Sequence, residues 1–464
     1  MVKILNQYVP ARVFLLLVTE NILIILGIWV VVSLQTGGKA FTLLPQSALL
    51  GKALLITVVC QVCLYFNDLY DLKSIRSRAQ VVVRALESFG AASIILALIY
   101  TVFPQVRFGR GIVETSVLSV ALAILLWRVL IEWVHRTYGA GDRVLVIGTG
   151  PHATALTQQI VARPDLHLQV AGMVSLNGMG SQAAALGAPY LGPLAKLQEI
   201  VDRAKPDRLV IALEERRQHL PMETLLRMRM QGLRVEHANT LYEQLTGRIP
   251  IESIHPSGLV FSDVLHGSAR SFFYRRVLGV TLALLGLAVL SPLLGILAIA
   301  IKLDSPGPIL YRQTRVGLDG HLFDILKFRS MKTNAESETG PVWARENDPR
   351  VTRVGRVMRT LRLDELPQLL NIVRGDMNFV GPRPERPYFV EKLTPAIPYY
   401  DLRHVIRPGV TGWAQISCSY GSTLDEAKNK LEYDMFYIKN QSVSLDLVIL
   451  FQTIKIALFG RGAR

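Results

Sequence analysis

The stretch Arg359-Thr-Leu-Arg362-Leu-Asp364-Glu365-Leu-Pro-Gln-Leu-Leu-Asn371 sets two adjacent carboxylates behind two arginines, and Gly381-Pro-Arg383-Pro-Glu-Arg386-Pro follows it. Guanidinium forks grip phosphate through paired hydrogen bonds. Carboxylates hold Mg²⁺ or act as nucleophiles. Arg345, Arg350, Arg353 and Arg356 stand just upstream. Asp364 before Glu-Leu-Pro also suits a helix N-cap, with proline tolerated in the first turn, so these five residues alone describe a capped surface helix. Arginines spaced among prolines favour anion chemistry instead, and a helix N-terminus is itself an anion site. The expectation is chemistry on a phosphate beside a membrane.

The membrane enters through the apolar runs. Half of the 464 residues are hydrophobic and the net charge is +15; the mean hydropathy is +0.32. Such a surplus fits nucleic acid, an anionic lipid surface or anionic substrates. No zinc-finger spacing or RNA-binding aromatic signature accompanies it, so no nucleic acid partner is expected. Runs near Val13–Leu34, Leu49–Phe66, Ala85–Phe103 and Val113–Val134 each approach the ~20 residues a spanning helix needs. The first lacks a small-residue cleavage site and is expected to be retained. Glu20 and Asn21 inside it mark either a transport path or, more ordinarily, a face packed on a neighbouring helix. Lys3, Arg12, Lys73, Arg76, Arg78, Arg84, Arg128 and Arg136 flank one side of these runs. On the other side Lys39 stands alone after the first run, while Arg107 and Arg110 after the third are a mild exception. Positive-inside bias therefore puts both ends of a four-helix bundle in the cytoplasm. Cys60 and Cys63 form a CxxC inside an apolar run and read as packing residues; with Cys418 they imply no disulfide framework.

Beyond the bundle, Arg143–Ile147 leads through Gly148-Thr-Gly150 into a helix. Leu168–Val174 and Arg208–Ala212 read as further strands, and Leu194–Ala204 as a helix. The alternation predicts a Rossmann-like parallel sheet. The second strand ends Val174-Ser-Leu-Asn177 without the carboxylate a bound dinucleotide would use, so a vestigial or regulatory domain is the better reading. A further apolar run, residues 277–301, is long enough to span. Pro292 interrupts it, Ser291 can bond freed carbonyls, and Arg275, Arg276, Lys302 and Arg312 make both flanks basic. These features predict a re-entrant helix kinked at Ser291-Pro292; a fifth span is the alternative. Tyr400–Arg407 and Leu445–Phe459 are expected to lie on a membrane surface.

From about residue 270 to 464 the chain resembles the polyprenyl-phosphate glycosyl-1-phosphate transferases, bacterial monotopic phosphoglycosyl transferases that start exopolysaccharide and O-antigen synthesis. The resemblance rests on Ser291-Pro292, Ser305-Pro-Gly-Pro308, Tyr311-Arg-Gln-Thr-Arg-Val-Gly317, Lys327-Phe-Arg-Ser-Met331 and Asn347-Asp-Pro-Arg350. It continues through Asp364-Glu365, Gly381-Pro-Arg-Pro384 and Arg407-Pro-Gly-Val-Thr-Gly-Trp-Ala-Gln415. Tyr242-Glu-Gln-Leu-Thr-Gly-Arg-Ile-Pro250 is similar to the pre-catalytic segment of exopolysaccharide members, and the N-terminal layout to long-form members.

The resemblance implies that Asp364 attacks the sugar-bearing phosphate of a UDP-sugar, expels UMP and forms an aspartyl phospho-sugar. Undecaprenyl phosphate then takes the phospho-sugar. Glu365 assists through Mg²⁺ or by orienting the acceptor, so both carboxylates are candidate Mg²⁺ ligands. Arg359 is the phosphate arginine and Arg383 contacts nucleotide or phosphate. Arg350, Arg362, Arg386, Lys327 and Arg329 complete the anion-binding candidates, the last two also fitting a plain structural role that meets lipid headgroups. Trp413 is expected to stack on a base or anchor in the interface. The expected fold class is membrane α plus α/β. It comprises a four-helix transmembrane bundle (residues 1–138), a Rossmann-like domain (139–265) and a mostly α catalytic domain (266–464) with the re-entrant helix. The expected site of action is the cytoplasmic face of the bacterial inner membrane, with UDP-sugar, undecaprenyl phosphate and membrane lipid as partners and a homodimer as the assembly. A nucleotide-sensing or scaffold protein without turnover is the alternative.

Overall fold

The computed structural model describes residues 2–4, 7–37, 46–71, 77–106, 111–138, 141–176, 188–213, 220–251, 269–333, 348, 350–418 and 423–459. Lys39, Lys73, Arg76, Arg107, Arg110, Asn177, Arg345, Asn347, Arg461 and Arg464 fall outside them. The chain divides into two compact units, Val9–Ala238 with Met1–Val2, and Asn239–Arg464 with Lys3–Tyr8.

In the first unit, the four apolar runs form α1 (Ala11–Thr36), α2 (Gln46–Phe66), α3 (Arg78–Val102) and α4 (Ile112–Tyr138). Ile24, Ile28, Ile56, Leu64, Leu96 and Ile124 fill the seam between them. Their outer faces are equally apolar, with Leu26, Leu98 and Leu118 more than half exposed. Helices apolar all round need an apolar surrounding, and this is a membrane protein. Glu20 is fully buried and pairs with Arg128, Nε to Oε1 at 2.7 Å. Tyr70 donates to the same carboxylate, and Arg128 also holds the Leu69 carbonyl at 2.8 Å. Glu20 is thus packing between helices, and Arg128, counted above as an orientation charge, is its partner. Cys60 and Cys63 are buried thiols in the same seam.

The sheet of this unit comprises β1 (Asp142–Ile147), β2 (Leu168–Ser175), β3 (Tyr190–Pro193), β4 (Arg208–Ile211) and β5 (Arg234–His237). Its order is β3-β2-β1-β4-β5 with every pair parallel. Helices α5 (Pro151–Val161), α6 (Leu197–Ala204) and α7 (Met222–Met230) occur between the strands. Val144, Leu145, Val146 and Ile147 are wholly buried, as a central strand covered on both faces requires. The order 3-2-1-4-5 is that of a doubly wound Rossmann-type sheet, one strand short of the six-stranded form.

The second unit opens with α8 (Ala238–Thr246), most of which packs with the C-terminal segment: Glu243 pairs with Lys439 at 2.7 Å and Ile251 lies in that core. The division between units therefore precedes the sequence boundary at 265. Next comes α9 (Ala269–Asp304), unbroken through Pro292 and longer than the expected 277–301. The proline deprives the Ala288 carbonyl of its usual donor, and Ser291 Oγ supplies one at 2.8 Å. A hairpin of β6 (Leu310–Val316) and β7 (Leu322–Phe328) precedes α10 (Arg353–Thr360) and α11 (Gln368–Arg374). Then follow β8 (Asn378–Val380), α12 (Pro387–Leu393), β9 (Gly409–Thr411), which runs parallel to β8, α13 (Trp413–Ser417), α14 (Leu424–Lys439) and α15 (Val443–Phe459).

Two sequence expectations fail in this unit. Tyr400–Val405 is a 3₁₀ turn with Tyr400, Arg403 and His404 buried, so it is core and not a membrane surface. Trp413 stacks on Phe436 and donates to the Gly247 carbonyl at 2.9 Å, so it neither anchors in lipid nor awaits a base. In α15, Leu445 and Ile449 are buried and Leu447 and Ile454 exposed, which leaves one outward apolar face.

Candidate active site

The dyad sits on a single 3₁₀ turn, Leu363–Glu365, between α10 and α11. Leu363 and Leu366, three apart and eclipsed in such a turn, pack against a cluster of Leu297, Ile301, Phe328 and Met358. Arg362 enters the turn at φ 54°, a left-handed conformation that costs a non-glycine residue about 1–3 kcal/mol.

Three elements converge on this turn. From β7, Lys327 Nζ donates to Glu365 Oε1 at 3.0 Å, and from the loop after β8, Arg383 Nη2 donates to the same oxygen at 3.0 Å. From α10, Arg359 Nε donates to Ser330 Oγ at 2.9 Å. Its other guanidinium nitrogens have no partner among the described residues, and its charge acts on Asp364. Close approach of α10 to Ser330 requires Gly355, since a Cβ there would lie 2.1 Å from the Ser330 carbonyl oxygen.

The two carboxylates are driven apart. Burial raises Glu365, but Lys327 and Arg383 outweigh it and hold the group well below the usual carboxylate range. Burial, then the charge of Glu365, raises Asp364, with Lys327 and Arg359 opposing. Among the described residues Asp364 makes no side-chain ion pair. Paired titratable groups with opposite shifts are the signature of divided chemical roles.

The supporting parts are equally specific. Asn371 is fully buried; its Oδ1 accepts from Leu326 N at 3.0 Å and its Nδ2 donates to the Asp324 carbonyl at 2.8 Å. It thereby pins α11 to the open edge of β7, one residue from Lys327. Arg276 of α9 caps the carbonyls of Ile372 and Val373 at 2.6 and 3.0 Å. Gly381 and Gly409 face each other so closely that a Cβ on Gly409 would lie 2.1 Å from Gly381 N.

Lys327, Arg359, Asp364, Glu365 and Arg383 therefore come together. Arg329 is buried and spends its two terminal nitrogens on the carbonyls of Ile301, Ser305 and Pro306, a structural post in the turn after α9. Arg350 grips Asp348 at 2.5 Å and holds that acid down to about 2. Arg386 heads α12 beside Arg315, and Arg362 supplies the left-handed entry. Sequence reasoning missed Ser330, Asn371 and Arg315, which lay within motif stretches but were given no role, and also Arg403 and Asp434.

A bundle of apolar helices, a parallel doubly wound sheet and an acidic dyad ringed by lysine and arginine describe a membrane protein with a charged site of the kind that handles anions. A family model described as bacterial sugar transferase matches residues 270–460, and one described as CoA-binding domain matches residues 65–226. The chain is 30% identical over 472 aligned positions to an undecaprenyl-phosphate glucose phosphotransferase of Komagataeibacter xylinus, covering 90% of this chain and 85% of that one. It is 43% identical over 240 residues to a UDP-N-acetylgalactosamine-undecaprenyl-phosphate N-acetylgalactosaminephosphotransferase of Aeromonas hydrophila, 52% of this chain and 56% of that one. It is 32% identical to a UDP-glucose:undecaprenyl-phosphate glucose-1-phosphate transferase of Klebsiella pneumoniae over 67% of each. The chain belongs to the polyprenyl-phosphate glycosyl-1-phosphate transferase family, in its long form.

Proposed function

We propose that the protein transfers a sugar 1-phosphate from a UDP-sugar to undecaprenyl phosphate, in the initiating step of exopolysaccharide or O-antigen synthesis. The observation that carries this reading is the division of the dyad: Glu365 is held by Lys327 and Arg383, while Asp364 beside it makes no side-chain ion pair among the described residues. Asp364 attacks the phosphorus that bears the sugar, the bond to UMP breaks, and UMP leaves with the electron pair. An oxygen of undecaprenyl phosphate then attacks the same phosphorus and Asp364 departs as carboxylate. Dividing one transfer into two lowers each barrier. Arg359, Lys327 and Arg383 draw the diphosphate charge toward the carboxylate, which like-charge repulsion would otherwise exclude.

A carboxylate pair beside a substrate diphosphate is a donor set that Mg²⁺ commonly takes. No group of three metal-binding side chains forms among the described residues, and Mg²⁺ commonly takes one or two carboxylates, water and substrate phosphate oxygens. Asp364 and Glu365 would hold it, and it would neutralise the diphosphate.

Support for a re-entrant α9 comes from what covers it. Ala283 packs with Ile325, Leu369 and Ile372 before the proline, and Leu297 and Ile301 pack with Phe328 and Met358 after it. The catalytic fold thus rides along both halves of the helix. A straight crossing would drag that fold, with Arg353 and Arg356, into hydrocarbon. Yet only 11% of the apolar window is buried, and Leu284, Leu285, Val289, Ile296 and Ile299 are bare. A helix dipping into one leaflet of the inner membrane, from the cytoplasmic side, satisfies both facts.

The relatives are named for transfer of glucose or N-acetylgalactosamine phosphate, so the donor is taken to be a UDP-hexose or UDP-N-acetylhexosamine. The test is UMP release by purified protein from UDP-glucose, UDP-galactose, UDP-GalNAc and UDP-GlcNAc, with Mg²⁺ and undecaprenyl phosphate. Release with one donor, abolished in Asp364→Asn, is expected. A stoichiometric burst of UMP without acceptor, with the phospho-sugar found on the Asp364 peptide, is expected for the covalent step. Turnover without such a burst would discard that step, and folded protein releasing no UMP from any donor would favour the scaffold reading.

A further inference from the structure

The loop that carries Arg383 is tethered through four successive backbone carbonyls. Pro382 O accepts from Gly409 N at 2.9 Å, and Glu385 O accepts from Val316 N at 2.9 Å. Between them, Pro384 O accepts from Arg315 Nη1 at 2.8 Å and Arg383 O from Arg403 Nη2 at 3.0 Å. The two middle carbonyls thus depend on side chains. Prolines at 382 and 384 remove the local N–H groups that could otherwise fold the loop upon itself.

Arg403 lies in the buried 3₁₀ turn Tyr400–Val405 and is only 6% exposed. Its Nη2 also meets Asp434 Oδ2 at 2.9 Å and its Nη1 donates to Tyr400 Oη at 2.6 Å. Asp434 is 2% exposed on the inner face of α14, where burial raises its carboxyl to about 6 despite Arg403. Burying an ion pair is a poor way to add stability, because apolar residues of similar volume do as well or better. The pair is better explained by what its remaining hydrogen bond does. That bond fixes the peptide of Arg383, and Arg383 in turn holds Glu365, next to Asp364.

We infer that Arg403 and Asp434 are positioning residues for the transfer, a buried relay that sets where the Arg383 guanidinium meets Glu365 and the substrate phosphates. The inference rests on the proposed transferase reading. A guanidinium fork is needed because one head group must meet Asp434, the Tyr400 hydroxyl and the Arg383 carbonyl together; lysine cannot span them. Misplacing a catalytic group by about 1 Å costs on the order of 100-fold in rate.

The test is a double-mutant cycle on UMP release, using Asp434→Asn, Arg383→Ala and the pair, with Arg403→Lys in place of Asp434→Asn should that variant not fold. Asp434→Asn is expected to lower kcat about 10–100-fold with little change in KM, and to add nothing once Arg383 is alanine. Unchanged kcat, or losses that multiply in the double variant, would overturn the relay. Amide exchange over residues 378–390, read without substrate, is expected to quicken in Asp434→Asn and Arg403→Lys. No quickening there would overturn it whatever the reaction proves to be. Wild-type protein that releases no UMP would count against the transferase reading alone.

Discussion

At the scale of single residues, the dyad divides its labour by environment, and this has a pH signature. In the proposed transfer Asp364 attacks as a carboxylate, so the rate should fall when acid protonates it. Its folded value is raised by burial and by Glu365. The acid limb of UMP release is therefore expected above about 3.9, where an ordinary aspartate titrates. Lys327 opposes the rise, so Lys327→Met should move the limb to higher pH, and Glu365→Gln should move it lower. A pH–rate profile measured under single-turnover conditions checks both directions; a limb that ignores either substitution would mean that a different group titrates. Lys327, Arg359 and Arg383 were legible because each stands in a compact sequence motif near the dyad. Arg403 and Asp434 were not, because their tie spans 31 residues and the segment around Arg403 read as membrane-facing. Arg128 was misread as a topological charge, since a sequence shows its sign but not its partner.

At the scale of elements, Asn371 joins α11 to β7 and so fixes the distance between the dyad and Lys327. Asn371→Ala leaves the Leu326 amide and the Asp324 carbonyl buried without their partner. The expected loss is about 1–3 kcal/mol for such a group. It should appear as a lower unfolding midpoint in detergent, with UMP release falling further than the stability alone explains. A midpoint within error of wild type would show that water takes over both bonds. Helix and strand periodicity revealed the bundle and the parallel sheet, because long apolar runs and buried central strands write themselves plainly into a sequence. The segment Tyr400–Arg407 misled because its apolar residues interleaved with arginines look amphipathic unless the buried acid that satisfies Arg403 is known. Trp413 misled because an aromatic ring suits a core, a base and a membrane equally.

For the whole molecule, the disposition of α9 decides which compartment holds the site. With the native cysteines replaced, single cysteines placed at Lys302 and at Arg374 should both react with a membrane-impermeant maleimide only from the cytoplasmic side. One at Val289, near the turn of the proposed dip, should react from neither side. Labelling of Lys302→Cys from the periplasm would make α9 a fifth span and remove the catalytic fold from its nucleotide-sugar supply.

The pairing of Glu20 with Arg128 also has a history in time. The acid emerges from the ribosome 108 residues before its counter-charge. At about 5–20 residues per second that is a wait of roughly 5–20 s. An unpaired charge near a helix centre costs about 2.5–3.5 kcal/mol on the insertion scale, so α1 enters the bilayer as a reluctant guest until α4 arrives. The bundle is consequently completed by its last member, and a nascent chain stopped before α4 carries, in that lone acid, a mark of being unfinished.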